Sequence, residues 1–129
     1  MTNETYLKTK REVNLIKLVY ICSPLGGDIE RNISRANGYC RFAATLGVIP
    51  IAPHVIFTQF LDEEILEERQ LGMQMGLDIM YRCAELWVFG SKISKGMQGE
   101  IEAAERLGIP IQYYSDRCVR RENLTGVMI

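Results

Sequence analysis

Residues 15–22 read LIKLVYIC and run directly into Ser23-Pro24-Leu25-Gly26-Gly27-Asp28. A short run rich in β-branched and aromatic residues, stopped by proline and paired glycines, is the signature of a buried strand followed by a turn. From Ile29 the period changes. Ile29, Ile33, Ala36, Cys40 and Ala43 step by 4, 3, 4 and 3 residues, one face of an amphipathic helix, and Gly47 ends it. Strand, glycine turn and helix in that order form the first half of a βαβ unit.

The same grammar continues outward. Val48 to Ala52 predicts a second strand, and Pro53-His54 opens a loop. Asp62 is placed to cap a helix, with Glu63 and Glu64 in a first turn that favours acids. Leu66, Met73, Leu77, Met80 and Ala84 keep a helical spacing, and Gly72 and Gly76 predict a kink or two shorter helices. ELWVF at Glu85–Phe89 is a third strand, Gly90 to Gly99 a glycine-bearing connection, and Ile101, Ala104 and Leu107 mark a further helix ended by Gly108. Pro110 to Tyr114 is a fourth strand. Four strands, each too apolar for a solvated face and separated by helices, specify an α/β protein with a parallel sheet covered on both sides. Such sheets bind ligands beyond the carboxyl ends of their strands. Those ends lead here into 23–28, 53–62 and 90–99.

With 129 residues the chain suits one domain, taken as 15–129 after a polar extension at 1–14. Its 47% hydrophobic and 24% charged content is that of a globular protein, and a net charge of -1 offers no footprint for a nucleic acid polymer or an anionic membrane. The expected partner is a small molecule. Cys22, Cys40, Cys83 and Cys118 have no CxxC spacing and fit a reducing, cytoplasmic compartment. A single histidine argues against a zinc site, and neither a metal nor a cofactor is expected. Residues 1–14 lack the apolar core of a signal peptide, and no apolar run approaches the roughly 20 residues of a transmembrane helix.

Candidate chemistry collects at the strand ends. Ser23, Pro24, Gly26 and Gly27 read equally as a tight turn and as a backbone cradle for an anion at a helix start. Glu100, after Gly96-Met97-Gln98-Gly99, sits near a helix start whose dipole would keep it ionised; a solvated glutamate is the plainer reading of that position alone. Asp78 lies between Leu77 and Ile79, where a partner, a ligand or plain solvent would accommodate its charge. His54 faces a ligand or caps the helix beyond. Arg31 and Arg35, one turn apart, reach a phosphate or form surface ion pairs. Met73, Met75 and Met80 read as core or subunit contact, and Trp87 as core.

Three stretches taken together resemble the nucleoside 2-deoxyribosyltransferase superfamily over about residues 15–114: VYICSP with Gly26-Gly27, GLDIM at 76–80, and SKGMQGEI at 94–101 with Ala104. The likeness is to small phage- and bacterium-type members, and also to deoxynucleoside 5′-monophosphate N-glycosidases. It implies a flavodoxin-like, three-layer sandwich with a sheet of four to five strands, and a homodimer or higher homo-oligomer that shares active sites. It further implies that Glu100 attacks C1′ of the sugar, that Asp78 contacts the substrate and protonates the leaving base, and that Tyr20 orients the nucleophile. Ser23, Pro24, Gly26, Gly27, His54, Ser94, Gly96 and Met97 would line the substrate. Serine at 94 matches the monophosphate hydrolases, whereas transferases of free nucleosides tend to carry aspartate there. The arginines that flank the glycine pair in those hydrolases are replaced here by Leu25 and Asp28, and Arg31 or Arg35 would have to compensate.

The expected function is cleavage of the N-glycosidic bond of a nucleoside or its 5′-monophosphate through Glu100, by hydrolysis or by transfer to another base. The alternative is a non-catalytic module that senses or sequesters a nucleotide-like ligand.

Overall fold

A computed structural model describes residues 16–122; the polar extension and the Val127-Met128-Ile129 end lie outside the described residues. Strand β1 (Leu18–Cys22) leads to helix α1 (Ile29–Thr45), strand β2 (Ile49–Ile51), the short helix α2 (Pro53–Phe57) and helix α3 (Leu66–Tyr81). Strand β3 (Glu85–Phe89), helix α4 (Lys95–Leu107), strand β4 (Ile111–Tyr114) and the two-residue β5 (Arg120–Arg121) follow.

The sheet has the order β2-β1-β3-β4-β5. The first four strands are parallel, and β5 closes the far edge antiparallel to β4. This is the doubly wound, flavodoxin-like arrangement, in which strands are added first to one side of β1 and then to the other, the switch falling between β1 and β3. Tyr20 is in register with Ile51 on one side and Leu86 on the other, so β1 is an interior strand.

Alternation along β1 divides the core. Val19 and Ile21 join Tyr39 and Ala43 of α1 with Trp87, Phe89 and Tyr114. Tyr20 and Cys22 point the other way, to Met80 of α3 and Met97, Ile101 and Ala104 of α4. Phe89 is wholly buried, stacked between Tyr39 at 4.4 Å and Tyr114 at 5.0 Å between ring centroids. Burial of one such ring contributes about 1.5–3 kcal/mol. The buried Glu85 is compensated at the opposite end of β3 from the ligand loops. Its carboxylate accepts from Lys17 (2.9 Å), Trp87 Nε1 (3.0 Å) and Gln112 (2.8 Å), which together hold it below the ordinary glutamate range despite desolvation.

Several local expectations are corrected. Pro53 does not open a loop but starts α2, because its fixed φ and missing N–H suit a first helical position. Asp62 does not cap α3, which begins at Leu66. Its side chain instead accepts from Glu64 N, while its own N–H donates to the Glu68 side chain, a local turn that competes with helix. Gly72 and Gly76 produce no break, and α3 runs unbroken from Leu66 to Tyr81. Its apolar spacing also does not mark one buried stripe: Gly76 and Met80 face the sheet, while Leu66, Leu71 and Met73 are exposed. On α1 the buried positions are Ala36, Tyr39 and Ala43, and Ile29 is exposed. Gly108 does end α4, at φ +71°, the left-handed conformation a glycine adopts without a β-carbon clash.

Candidate active site

The carboxyl end of β1 carries three side chains toward the ligand loops. Tyr20 and Cys22, two residues apart and therefore on one face, both reach Glu100 of α4. The Tyr20 hydroxyl donates to Glu100 Oε2, and the Cys22 thiol donates to Oε1 at 3.4 Å. Each carboxylate oxygen thus has its own donor. Gly76 of α3 makes room for the pair, since a β-carbon there would lie 3.3 Å from the Tyr20 hydroxyl oxygen.

Glu100 is not in the first turn of its helix. Ser94 is the N-cap, accepting from Met97 N at 3.2 Å, so α4 already contains Gly96 and Gly99, and Glu100 falls in the second turn. Burial, not a helix end, governs its charge. Desolvation raises its carboxyl above the ordinary 4.5, and the hydrogen bonds from Tyr20 and Cys22 pull in the opposite direction. Desolvation followed by the Glu100 charge likewise raises Tyr20 and Cys22, which stay protonated as donors.

Ser23 is buried and pairs with His54 Nε2 of α2 at 3.1 Å, joining the ends of β1 and β2. Burial lowers His54 to about 4, so the imidazole is neutral near pH 7. The loop from Pro24 to Gly27 is held by Asn32, whose side-chain amide donates to the carbonyls of Leu25 (3.0 Å) and Gly26 (2.7 Å). Gly27 sits at φ +81°, and Asp28 caps α1 by accepting from Arg31 N at 3.2 Å.

The structure therefore brings Tyr20 and Glu100 together, with Ser23 and His54 as a second pair. Ser94 and Gly96 are exposed at the start of α4, whereas Met97 is in the core cluster beneath. Asp78 stands apart. It is exposed, its carboxylate lies 3.5 Å from Gln74 one turn earlier, and among the described residues it makes no hydrogen bond to Glu100. Cys22 and Asn32 were missed as site residues. The two-residue spacing from Tyr20 was a usable signal for Cys22; nothing local marked Asn32. Among the described residues no three His, Cys, Asp or Glu side chains are grouped to hold a metal ion, and no helix is long and apolar enough to cross a membrane.

A family model described as a domain of unknown function, DUF7768, matches residues 17–114, from the residue before β1 to the last residue of β4. The chain belongs to the DUF7768 family. The matched span of this DUF7768 chain contains every site residue named above. Comparison with curated proteins gives no match. Among solved structures, the DUF7768 fold is similar to the 2-deoxyribosyltransferase from the psychrotolerant bacterium Bacillus psychrosaccharolyticus. The TM-score is 0.60 at 18% sequence identity, covering 85% of this chain and 89% of that one. At that identity the likeness is one of fold.

Proposed function

We propose that this chain cleaves the N-glycosidic bond of a nucleoside or its 5′-monophosphate with Glu100 as nucleophile. The observation that carries the reading is a half-buried carboxylate, held on both oxygens by Tyr20 and Cys22, at the carboxyl end of an interior strand. The similarity in fold to a 2-deoxyribosyltransferase supports a nucleoside-type substrate.

In the first step a Glu100 oxygen bonds to C1′ as the C1′–N bond breaks and its electron pair leaves with the base. Asp78, exposed on α3 two residues beyond Gly76, is the acid assigned to protonate that base. The glycosyl ester on Glu100 is then attacked at C1′ by water or by a second base, which frees the carboxylate. Two hydrogen bonds fix the attacking carboxylate and favour its ionised form against the cost of burial. The neutral His54 and the 23–27 loop supply donors and acceptors for the sugar and its 5′ end. Ser94, although it caps α4 as an acceptor, keeps its hydroxyl hydrogen free for a phosphate oxygen. Leu66, Leu71 and Met73, exposed along α3, support a homo-oligomer that would complete the site.

One observation favours the rival reading of a non-catalytic nucleotide-binding module: among the described residues Asp78 is exposed and makes no hydrogen bond to Glu100. The test is incubation with a panel of nucleosides and their monophosphates, with released bases read by chromatography. Base release by the wild type and none by Glu100→Gln is expected. Tight binding with no base released from any substrate would leave the binding module standing instead.

A further inference from the structure

On the other side of β1 from Glu100 lies a cavity of about 290 Å³, between the start of α1 and the loop that follows β3. Arg35 and Lys92 line it, with Tyr39, Asp116, Ser23 and Asn32. Arg35 and Lys92 are both exposed, and among the described residues neither forms an ion pair. Asp116 is the opposing charge, so the lining carries two cations and one anion.

Tyr39 forms part of the wall: it is only 5% exposed, its ring is stacked on Phe89, and among the described residues its hydroxyl makes no hydrogen bond and keeps access to solvent. Burial raises the Tyr39 phenol, the Arg35 guanidinium opposes that rise and Asp116 adds to it. The Asn32 amide is already spent on Leu25 and Gly26, and Ser23 on His54, so these two shape the wall.

We infer that this cavity is a second binding site, for a small phosphate monoester. Arg35 and Lys92 would take the phosphate, Tyr39 would donate to it, and Asp116 would accept from a hydroxyl of the attached group. A guanidinium and an ammonium lining one cavity match the charge of a phosphate, and the volume suits a group the size of a pentose. The cavity shares Ser23 and Pro24 with the loop assigned to the substrate, but its charged residues Arg35, Lys92 and Asp116 have no part in the reaction assigned to Glu100.

Titration calorimetry tests it, using inorganic phosphate, ribose 5-phosphate and neutral ribose as probes. Saturable binding of both phosphates, with ribose 5-phosphate the tighter and ribose silent, is expected. Arg35→Gln and Lys92→Gln should each weaken ribose 5-phosphate by at least about tenfold, as loss of a charge-assisted hydrogen bond requires. Both side chains are exposed and on separate elements, so each variant keeps the fold. Glu100→Gln should leave the affinity unchanged. Absence of saturable phosphate binding below about 10 mM would overturn the site. So would affinity that survives both cation variants but is lost in Glu100→Gln, which places the phosphate in the other pocket.

Discussion

Gly76 and Tyr20 are matched in shape: the α-carbon of one leaves only enough room for the hydroxyl of the other, with a β-carbon there falling 3.3 Å from the oxygen. That distance is tighter than ordinary contact and lies in the middle of α3. Gly76→Ala should therefore displace the Tyr20 hydroxyl from Glu100 although alanine is the better helix former by about 1 kcal/mol. The expected outcome is a melting temperature within a few degrees of wild type and kcat reduced by at least about tenfold. Steady-state kinetics beside a thermal melt measures both.

Glu100 should limit stability as well as carry reactivity. Burial raises its folded-state carboxyl above 4.5, so its contribution to stability is full below the unfolded value and lost as pH rises through the folded one. At neutral pH the side chain is a half-buried, partly desolvated charge. Glu100→Gln removes that charge, and its melting temperature at pH 7 should exceed wild type by roughly 3 °C, the gap closing toward pH 4. Melting curves across that range decide it; a destabilised variant at pH 7 would mean the carboxylate is better solvated than its surroundings indicate.

The acid limb of activity should sit above 4.5, because attack needs the ionised carboxylate and Glu100 is raised. The Tyr20 hydroxyl works against that rise. Tyr20→Phe deletes the donor, so the limb should move to higher pH, with a loss of kcat at the plateau. A pH profile of kcat/KM for both proteins shows it, and coincident limbs would remove Tyr20 from control of Glu100.

His54 gives a separate pH signature. Its folded value of about 4 lies below the unfolded 6.5, so its stabilising contribution is present above 6.5 and lost as pH falls toward 4. Between pH 7 and pH 5 the wild type should lose up to about 2 kcal/mol of unfolding free energy that His54→Gln does not. Urea titrations at pH 7 and pH 5 provide the comparison.

Ser94→Asp separates phosphate recognition from folding. Aspartate caps a helix as well as serine does, so α4 should start unchanged. The added negative charge would repel a 5′-phosphate. KM for a deoxynucleoside monophosphate should rise by about tenfold or more while that for the free nucleoside stays within about threefold. Equal changes for both substrates would place the phosphate away from Ser94.

Much of the fold was legible because strand burial is written in continuous apolar runs. β3 spans ELWVF as read, β1 takes only the LVYIC part of the run read over 15–22, and Gly108 ends α4 as its position implied. What was not legible depended on competition between local signals. Gly96 and Gly99 disfavour helix, yet Ser94 nucleates one through them, moving Glu100 a turn inward and exchanging a helix-end environment for a buried one. Asp62 offered a cap but bonded within its own turn. In the site, Glu100 and Tyr20 were readable as motif positions, whereas the Cys22 bond and the separation of Asp78 are facts of packing between α3, α4 and β1.

Tyr20 and Glu100 are 80 residues apart in the chain, and their bond exists only when α4 has docked on a sheet that already contains β3. A closure of that length is among the slow contacts of a parallel αβ topology. A chain emerging from the ribosome therefore holds the orienting tyrosine long before the carboxylate it serves. Reactivity toward a glycosidic bond should switch on late, with the final packing of the protein, and any partly folded species would carry the strand without the chemistry.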